Sequence, residues 1–140
     1  MRSTFTEYKE TQQAREDIAA AVLKHTHSLC RALEQNFKQR HPKSDPYTFS
    51  VESGRKYHKI LMETESQSQS VHAFVDKKTG EVYKAASYKS PAKGVRFDLR
   101  IIEQREWLFD NADWAGSYLY IRSIRNVRGL RSFSMMSHQP

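Results

Sequence analysis

The sequence lacks the features of membrane proteins and of disulfide-stabilised secreted proteins. Its single cysteine, Cys30, cannot form an internal disulfide. No apolar run approaches the roughly 20 residues that span a bilayer, and the first residues lack the apolar segment of a secretory signal. We therefore expect an intracellular protein without a membrane segment.

Sequence motifs of common enzyme classes are also missing. There is no Walker A pattern, no GxGxxG, no HExxH and no GxSxG. The candidate acidic residues are scattered along the sequence, and their spacing does not indicate a pair of carboxylates for acid–base chemistry. They are Glu63, Asp76, Glu81 and Asp98. We expect a non-enzymatic protein with no catalytic residue and no cofactor.

The six histidines form no recognisable metal motif. His25 and His27 are two residues apart on a predicted helix, so they point to nearly opposite sides. His58 and His72 could meet across strands, but spacing implies no third ligand. No metal site is predicted, and Cys30 is interpreted as a core residue beside the apolar stripe of the helix.

The net charge is +7, and the positive charge is concentrated in two places. Residues 77–98 carry six basic and two acidic side chains, and residues 117–140 carry four basic and none acidic. Such concentrations favour a polyanionic partner.

Residues 14–40 predict one long amphipathic helix that ends before Pro42. Residues 3–13 are interpreted as a short helix or a frayed lead-in. At 1.5 Å per residue the helix over 14–40 would be roughly 40 Å long, long enough to project or to pair with a second copy. The apolar stripe consists of Ile18, Val22, Leu29, Leu33 and Phe37.

Alternating apolar and polar residues predict a β-sheet in the second half of the chain. A short helix over 100–109, capped by Asp98, precedes the last strand, and residues 88–98 are irregular. In the hairpin around Asp76 and Gly80, we expect Val75 to face Val82 and Phe74 to face Tyr83. The five predicted strands cover residues 47–51, 56–63, 71–76, 81–85 and 117–124.

These elements predict an α+β fold, in which a long N-terminal helix packs on an antiparallel sheet of four or five strands. Residues 1–124 form the single domain in this interpretation. Residues 125–140 form a flexible basic tail.

Basic and aromatic residues are interleaved along residues 77–98. Phosphates require cations and unpaired bases require flat rings, so this pattern predicts binding of single-stranded nucleic acid. The alternative is a soluble hairpin with lysines in solvent and aromatic rings in the core. The predicted phosphate contacts are Lys84, Lys89, Lys93, Arg96, Arg122 and Arg125, and the predicted base-stacking residues are Tyr83, Tyr88 and Phe97.

Two stretches resemble a family of small proteins of tailed bacteriophages. They are residues 71–99, with Lys89-Ser90-Pro91-Ala92-Lys93-Gly94, and residues 112–120, with Asp113-Trp114-Ala115-Gly116. The likeness covers roughly residues 56–121, and Tyr88 stands where the family often has Trp. It implies a phage-encoded protein made in the host bacterial cytoplasm, and it implies no catalytic residue.

The function expected from these observations is non-enzymatic binding of nucleic acid, single-stranded DNA favoured, in phage replication or transcription. The main alternative is a phage protein that binds a host protein, as an inhibitor or anti-defence factor, or a small virion component. A third alternative is capture of a nucleotide signal by the basic Pro/Gly loop. A homo-oligomer formed through the long helix is a further expectation.

Overall fold

The computed structural model describes residues 4–64, 66 and 68–120. The predicted α+β fold is confirmed, because a long N-terminal helix packs against a five-stranded antiparallel sheet and a short second helix follows. The elements are α1 (Thr4–Arg40), β1 (Thr48–Ser53), β2 (Tyr57–Glu63), β3 (Gln69–Asp76), β4 (Glu81–Lys84), β5 (Phe97–Asp98), α2 (Ile102–Asn111) and a 3₁₀ helix (Ser117–Tyr120).

Helix α1 is one continuous element of 37 residues, about 55 Å long at 1.5 Å per residue. The lead-in over 3–13 is therefore not a separate helix in its described part. Burial against the sheet begins near Ile18, which packs on the core, and Val22, which is fully buried. Nearly all side chains of residues 4–17 are exposed, so this end of α1 extends past the sheet.

The sheet is a meander in which each strand pairs with the next along the chain, in the order β1-β2-β3-β4-β5. The first four strands match the predicted ones within two residues. The two-residue strand β5 lies in the stretch interpreted as irregular. It pairs Phe97 with Val82 and Asp98 with Glu81 at the sheet edge.

The β3–β4 hairpin has the predicted register, with Phe74 opposite Tyr83 and Val75 opposite Val82. Asp76 Oδ1 accepts hydrogen bonds from the amides of Lys78 at 2.8 Å and Thr79 at 3.1 Å. Gly80 closes the turn at a φ of 79°, a conformation that only glycine adopts without strain. The local sequence thus determines this turn.

The two faces of the sheet differ in what covers them. The inner face packs against α1, and the core between them includes Leu29 and Leu33 of α1 and Ile60, Val75 and Val82 of the sheet. The opposite face, called the outer face below, carries a row of aromatic rings formed by Tyr57, Phe74 and Tyr83.

A β-bulge separates the pairing of β2 and β3 into two segments. Ile60 pairs with Ala73 and Leu61 with Val71, so His72 is the extra residue. The His72 ring lies edge-on to Phe49 at 5.4 Å and parallel to Tyr118 at 5.6 Å between centroids. The bulge therefore turns His72 toward the side of the sheet where Tyr118 packs.

Polar contacts hold strand β1 against α1. Glu34 Oε2 accepts a hydrogen bond from the Phe49 amide, and Arg31 Nη2 donates one to the Phe49 carbonyl, both at 2.8 Å. Arg31 and Glu34 also form an ion pair at 3.0 Å. Both main-chain polar groups of one edge-strand residue are thus bonded from the helix.

The structure corrects two predictions in the C-terminal half. Asp98 does not cap α2, because the residue at the helix start is Ile101, which makes no side-chain cap, and Asp98 Oδ1 instead accepts from the Arg100 amide at 2.9 Å. The described part of the predicted strand 117–124 is a 3₁₀ helix. Asp113 accounts for this helix, since its carboxylate accepts from the amides of Ser117 and Tyr118.

Residues 121–124 of that predicted strand and the predicted tail 125–140 lie outside the described residues. The division of the chain into a domain and a tail stays a prediction.

Candidate nucleic-acid interface

Residues 85–96 connect β4 to β5 and form a loop that folds back along β4. Ala85 and Pro91 form an isolated antiparallel bridge. The Ala92 amide donates to the Lys84 carbonyl at 2.7 Å, and the Arg96 amide to the Val82 carbonyl at 2.8 Å. These bonds fix both ends of loop 85–96 against β4.

The side chain of Lys84 lies beside the ring of Tyr120. Its Nζ is 4.7 Å from the centroid of the Tyr120 ring, and Tyr120 is 73% exposed. Within the described chain, Lys84 forms no ion pair with a carboxylate. In the described part of the chain, the Lys84 ammonium therefore lies next to the solvent-facing Tyr120 ring and has no carboxylate partner.

The structure adds Tyr120 to the candidate site, which the sequence interpretation missed because it placed this residue in a strand. The sequence feature that could have indicated Tyr120 is its position directly before the arginine-rich segment. Residues 121–140 carry four arginines and no acidic residue. Arg122 and Arg125 belong to that segment and lie outside the described residues.

Lys89 and Lys93 are exposed on loop 85–96. From residue 84 to residue 96 the sequence contains four basic side chains and no acidic one. Like charges held close together on a surface create a positive potential that attracts anions. We call Lys84, Lys89 and Lys93 of this segment, together with Tyr120 beside Lys84, the cationic patch.

Arg96 bonds to the chain itself through most of its guanidinium. Nε donates to the Leu119 carbonyl at 2.8 Å, and Nη1 donates to the carbonyls of Lys93 at 2.9 Å and Gly94 at 2.6 Å. The side chain therefore ties loop 85–96 to the 3₁₀ helix. Its predicted role in phosphate contact competes with this internal bonding.

Phe97 does not fit its predicted role in base stacking, because it is only 1% exposed. Its ring stacks on Trp107 at 5.5 Å and lies 6.0 Å from the Tyr118 ring. Pairing with Val82 places Phe97 on the inner face of the sheet, inside the core. The assignment of Phe97 as a stacking residue is wrong.

Tyr83 and Lys84 lie on opposite faces of β4, since neighbouring strand residues alternate in direction. The Tyr83 ring packs on the outer face at 6.0 Å from Tyr57, and its hydroxyl donates to Glu81 at 3.2 Å. Burial, together with the Glu81 carboxylate, raises the pKa of Tyr83 to about 12. Tyr83 is thus separated from the cationic patch.

Tyr88 remains available as a stacking residue. It is 46% exposed, its ring centroid is 4.4 Å from Lys59 Nζ, and its hydroxyl donates to Gln69 Oε1 at 3.4 Å. Loop 85–96 thus carries an exposed ring beside a cation on its outer side as well.

The outer face beyond Tyr83 is acidic. Glu81 pairs with Asp98 across β4 and β5. Burial is the main cause that raises the pKa of Asp98, and the neighbouring Glu81 carboxylate adds to it. An anionic partner is therefore better accommodated at the cationic patch than across the outer face.

A cleft of about 320 Å³ opens beside Lys84, between the ends of β3 and β4 and the 3₁₀ helix. His72 Nε2 and the Tyr118 hydroxyl are hydrogen-bonded at 2.8 Å. Burial lowers the pKa of His72 to about 4, so its imidazole is neutral at pH 7. The residues that define the cleft include Met62, Ser70, His72, Lys84, Trp114 and Tyr120.

Cys30 lies in the hydrophobic core. Cys30 is fully buried, and burial raises the pKa of its thiol to about 12. No group of three or more His, Cys, Asp or Glu side chains among residues 4–120 as described could hold a metal ion. No helix in that part is long and apolar enough to cross a membrane.

Fold and site together define a small α+β protein with a cationic, partly aromatic surface around one loop. The chain belongs to a family of unknown function, DUF7717, whose sequence pattern matches residues 5–121. Comparison with curated proteins and with solved structures finds no match.

Proposed function

We propose that the protein binds nucleic acid without acting as an enzyme, with single-stranded DNA as the favoured partner. The observation that carries this proposal is the pair formed by Lys84 and Tyr120. An ammonium that has no carboxylate partner among the described residues lies 4.7 Å from the centroid of a ring that is 73% exposed.

Single strands suit this pair better than duplexes do. Unpaired bases offer their faces to aromatic side chains, and each base–aromatic contact is worth about 1–3 kcal/mol. In a duplex those faces are covered by neighbouring base pairs. Tyr120 of the cationic patch and Tyr88 on the outer side of loop 85–96 are exposed rings, and each has a lysine ammonium beside it.

The lysines of the cationic patch supply contacts to phosphate. Lys89 and Lys93 are exposed, and the sequence adds Arg122 and Arg125 directly after Tyr120. Contacts of this kind increase affinity without reading sequence. The proposed mode is therefore non-specific or weakly specific binding of a single strand.

The test is a salt titration of binding to a fluorescently labelled single-stranded oligonucleotide, measured by anisotropy. For single strands the slope of log K against log salt is about −0.7 per neutralised phosphate. The double variant Lys89→Ala, Lys93→Ala should flatten the slope by about 1.4 if each lysine contacts one phosphate.

The matched control is Lys24→Ala with Lys38→Ala, which removes the same charge from exposed positions on α1. This control should keep most of the slope. An equal slope for the two double variants would contradict the assignment of phosphate contacts to the cationic patch, because net charge alone would then explain binding.

The cellular setting proposed for this activity is phage replication or transcription in the cytoplasm of a bacterial host. The support is the resemblance of residues 71–99 and 112–120 to proteins of tailed bacteriophages. Detection of the protein bound to phage DNA in infected cells, by crosslinking and sequencing, would test this setting.

A protein partner is the second candidate, and the exposed end of α1 favours it. Phe5 and Tyr8 are exposed, and the helical repeat places Tyr8 on the stripe that buries Val22 and Leu33 further along. A host protein, a second copy of the chain or a neighbour in the virion are the partners of this kind. Retention of one host protein after nuclease treatment, lost in Phe5→Ala with Tyr8→Ala, would support it.

A further inference from the structure

The cleft beside Lys84 has a polar and an apolar side. Met62, Trp114 and Tyr120 supply flat or flexible apolar surface, while Ser70, His72 and Lys84 supply polar groups. A volume of about 320 Å³ lies at the lower end of the range for small-ligand pockets. The space therefore suits a ligand that combines one ring system with a compact polar group.

The polar side of the cleft is rich in hydrogen-bond donors. Tyr118 is buried, and His72 Nε2 is the only hydrogen-bond partner of its hydroxyl among the described residues. A buried O–H is best satisfied by donating to Nε2, and this assignment places the hydrogen of the neutral imidazole on Nδ1. Nδ1 makes no hydrogen bond in the described chain, so His72 offers an N–H donor.

Lys84 gives the cleft its charge. The Lys84 side chain is half-buried and has no carboxylate partner in the described chain. Its ammonium lies over the Tyr120 ring and donates to the Ala85 carbonyl at 3.5 Å. An ammonium at the edge of a cleft, without a carboxylate partner in the described chain, is available to pair with an anion. Together with His72 and the Ser70 hydroxyl it matches the acceptor oxygens of a phosphate.

We infer that the cleft binds one nucleoside monophosphate, with its phosphate at Lys84 and its base against Trp114. The ligand has two sources, a free nucleotide or the phosphorylated end of a single strand. The inference goes beyond the proposed function, because a single nucleotide can occupy the cleft without any strand at the cationic patch. The two share Lys84 alone among charged residues.

The experiment follows the indole N–H signals of the full ¹⁵N-labelled chain by NMR during titration with AMP, and measures affinity by calorimetry. The sequence has two tryptophans, and only Trp114 lines the cleft, so Trp107 is an internal reference. We expect a saturable shift of the Trp114 signal alone. Adenosine and inorganic phosphate, each lacking half of the ligand, should bind more weakly than AMP.

Variants separate the cleft from general electrostatic attraction. Lys84→Met keeps the length of the side chain and should weaken AMP binding at least about tenfold, as expected for loss of a charge-assisted bond. Lys93→Met, on the same loop and exposed, should leave AMP affinity within about twofold. An unmoved Trp114 signal, or equal losses in the two variants, would overturn the inference.

Oligonucleotides distinguish the two sources. If a 5′-phosphorylated single strand displaces AMP and the same strand without the phosphate does not, the ligand is a strand end. AMP binding that neither oligonucleotide disturbs identifies a free nucleotide. Failure of the proposed function is visible separately, because the protein would then bind AMP while the labelled oligonucleotide of the salt titration stays free.

Discussion

The guanidinium of Arg96 donates a hydrogen bond of 2.8 Å to the main-chain carbonyl of Leu119. The same side chain bonds the carbonyls of Lys93 and Gly94. One arginine thereby holds loop 85–96 and the 3₁₀ helix in a fixed relative position. The spacing of Lys84 from Tyr120 depends on that position, because Tyr120 is the residue after Leu119.

Replacement of Arg96 tests this structural role. Arg96→Met leaves three carbonyls without their donor and should lower the free energy of unfolding by about 1–3 kcal/mol. Urea denaturation followed by circular dichroism measures the loss. Lys93→Met, which removes an exposed charge three residues away, should change stability by less than about 0.5 kcal/mol. Wild-type stability in Arg96→Met would contradict the role of Arg96 as a tether.

The ring of Tyr120 is expected to contribute to binding of single strands. Tyr120→Ala should weaken the affinity for a labelled oligonucleotide by about 1–3 kcal/mol, the value of one base–aromatic contact. Tyr120→Phe keeps the ring and should retain most of the affinity. Tyr8→Ala, which removes another exposed tyrosine, is the control. Equal affinities for the alanine and phenylalanine variants at position 120 would exclude stacking there.

Phe97 is expected to matter for stability and not for direct contact with a ligand. Its ring is buried against Trp107 and Tyr118, so Phe97→Ala should cost about 3–5 kcal/mol through the cavity it leaves. Thermal unfolding measures this loss. The milder variant Phe97→Leu should remain folded and bind an oligonucleotide with wild-type affinity. A clear loss of affinity in that folded variant would contradict a purely structural role for Phe97.

Acid should destabilise the protein partly through His72. Burial lowers its pKa from 6.5 to about 4, so between these values the unfolded chain binds a proton that the folded chain does not. The free energy of unfolding therefore falls as the pH drops from about 6.5 to about 4, by up to about 3 kcal/mol from this residue. Burial also lowers the pKa of His25 and His58, which act in the same direction.

Urea midpoints at pH 7 and pH 4.5 test this pH dependence. His72→Gln removes the titrating group and should reduce the difference in unfolding free energy between the two pH values. Gln39→Ala, at an exposed and non-titrating helix position, should leave that difference as in the wild type. The same pH dependence in both variants would show that other groups cause the acid sensitivity.

The parts of the fold that the sequence predicts are those that neighbouring residues determine. The stripe from Ile18 to Phe37 predicts α1, because side chains one helical turn apart share a face. Asp76 and Gly80 predict the register of the β3–β4 hairpin, because turn chemistry fixes which residues face each other. Both predictions are confirmed.

The missed parts depend on distant contacts. Phe97 resembles the other aromatic residues of its stretch in sequence, and only pairing with β4 and packing on Trp107 bury it. Ser117–Tyr120 has the residue types of a strand, but hydrogen bonds that Ser117 and Tyr118 donate to the Asp113 carboxylate favour a 3₁₀ helix. Of the predicted stacking residues, Phe97 and Tyr83 therefore lie outside the cationic patch, and Tyr120 is added to it.

The two ends of α1 differ in local stability, because its N-terminal end extends past the sheet while the rest packs on it. From Val22 onward, opening a helical amide requires separation from the sheet, so hydrogen exchange there should approach the rate of global unfolding. Over residues 4–17 few side chains are buried, so each amide is protected mainly by helix propensity, which is weak in water. Hydrogen exchange along α1 should therefore slow abruptly near Ile18. A partner bound at Phe5 and Tyr8 would slow exchange over residues 4–17 and remove this difference.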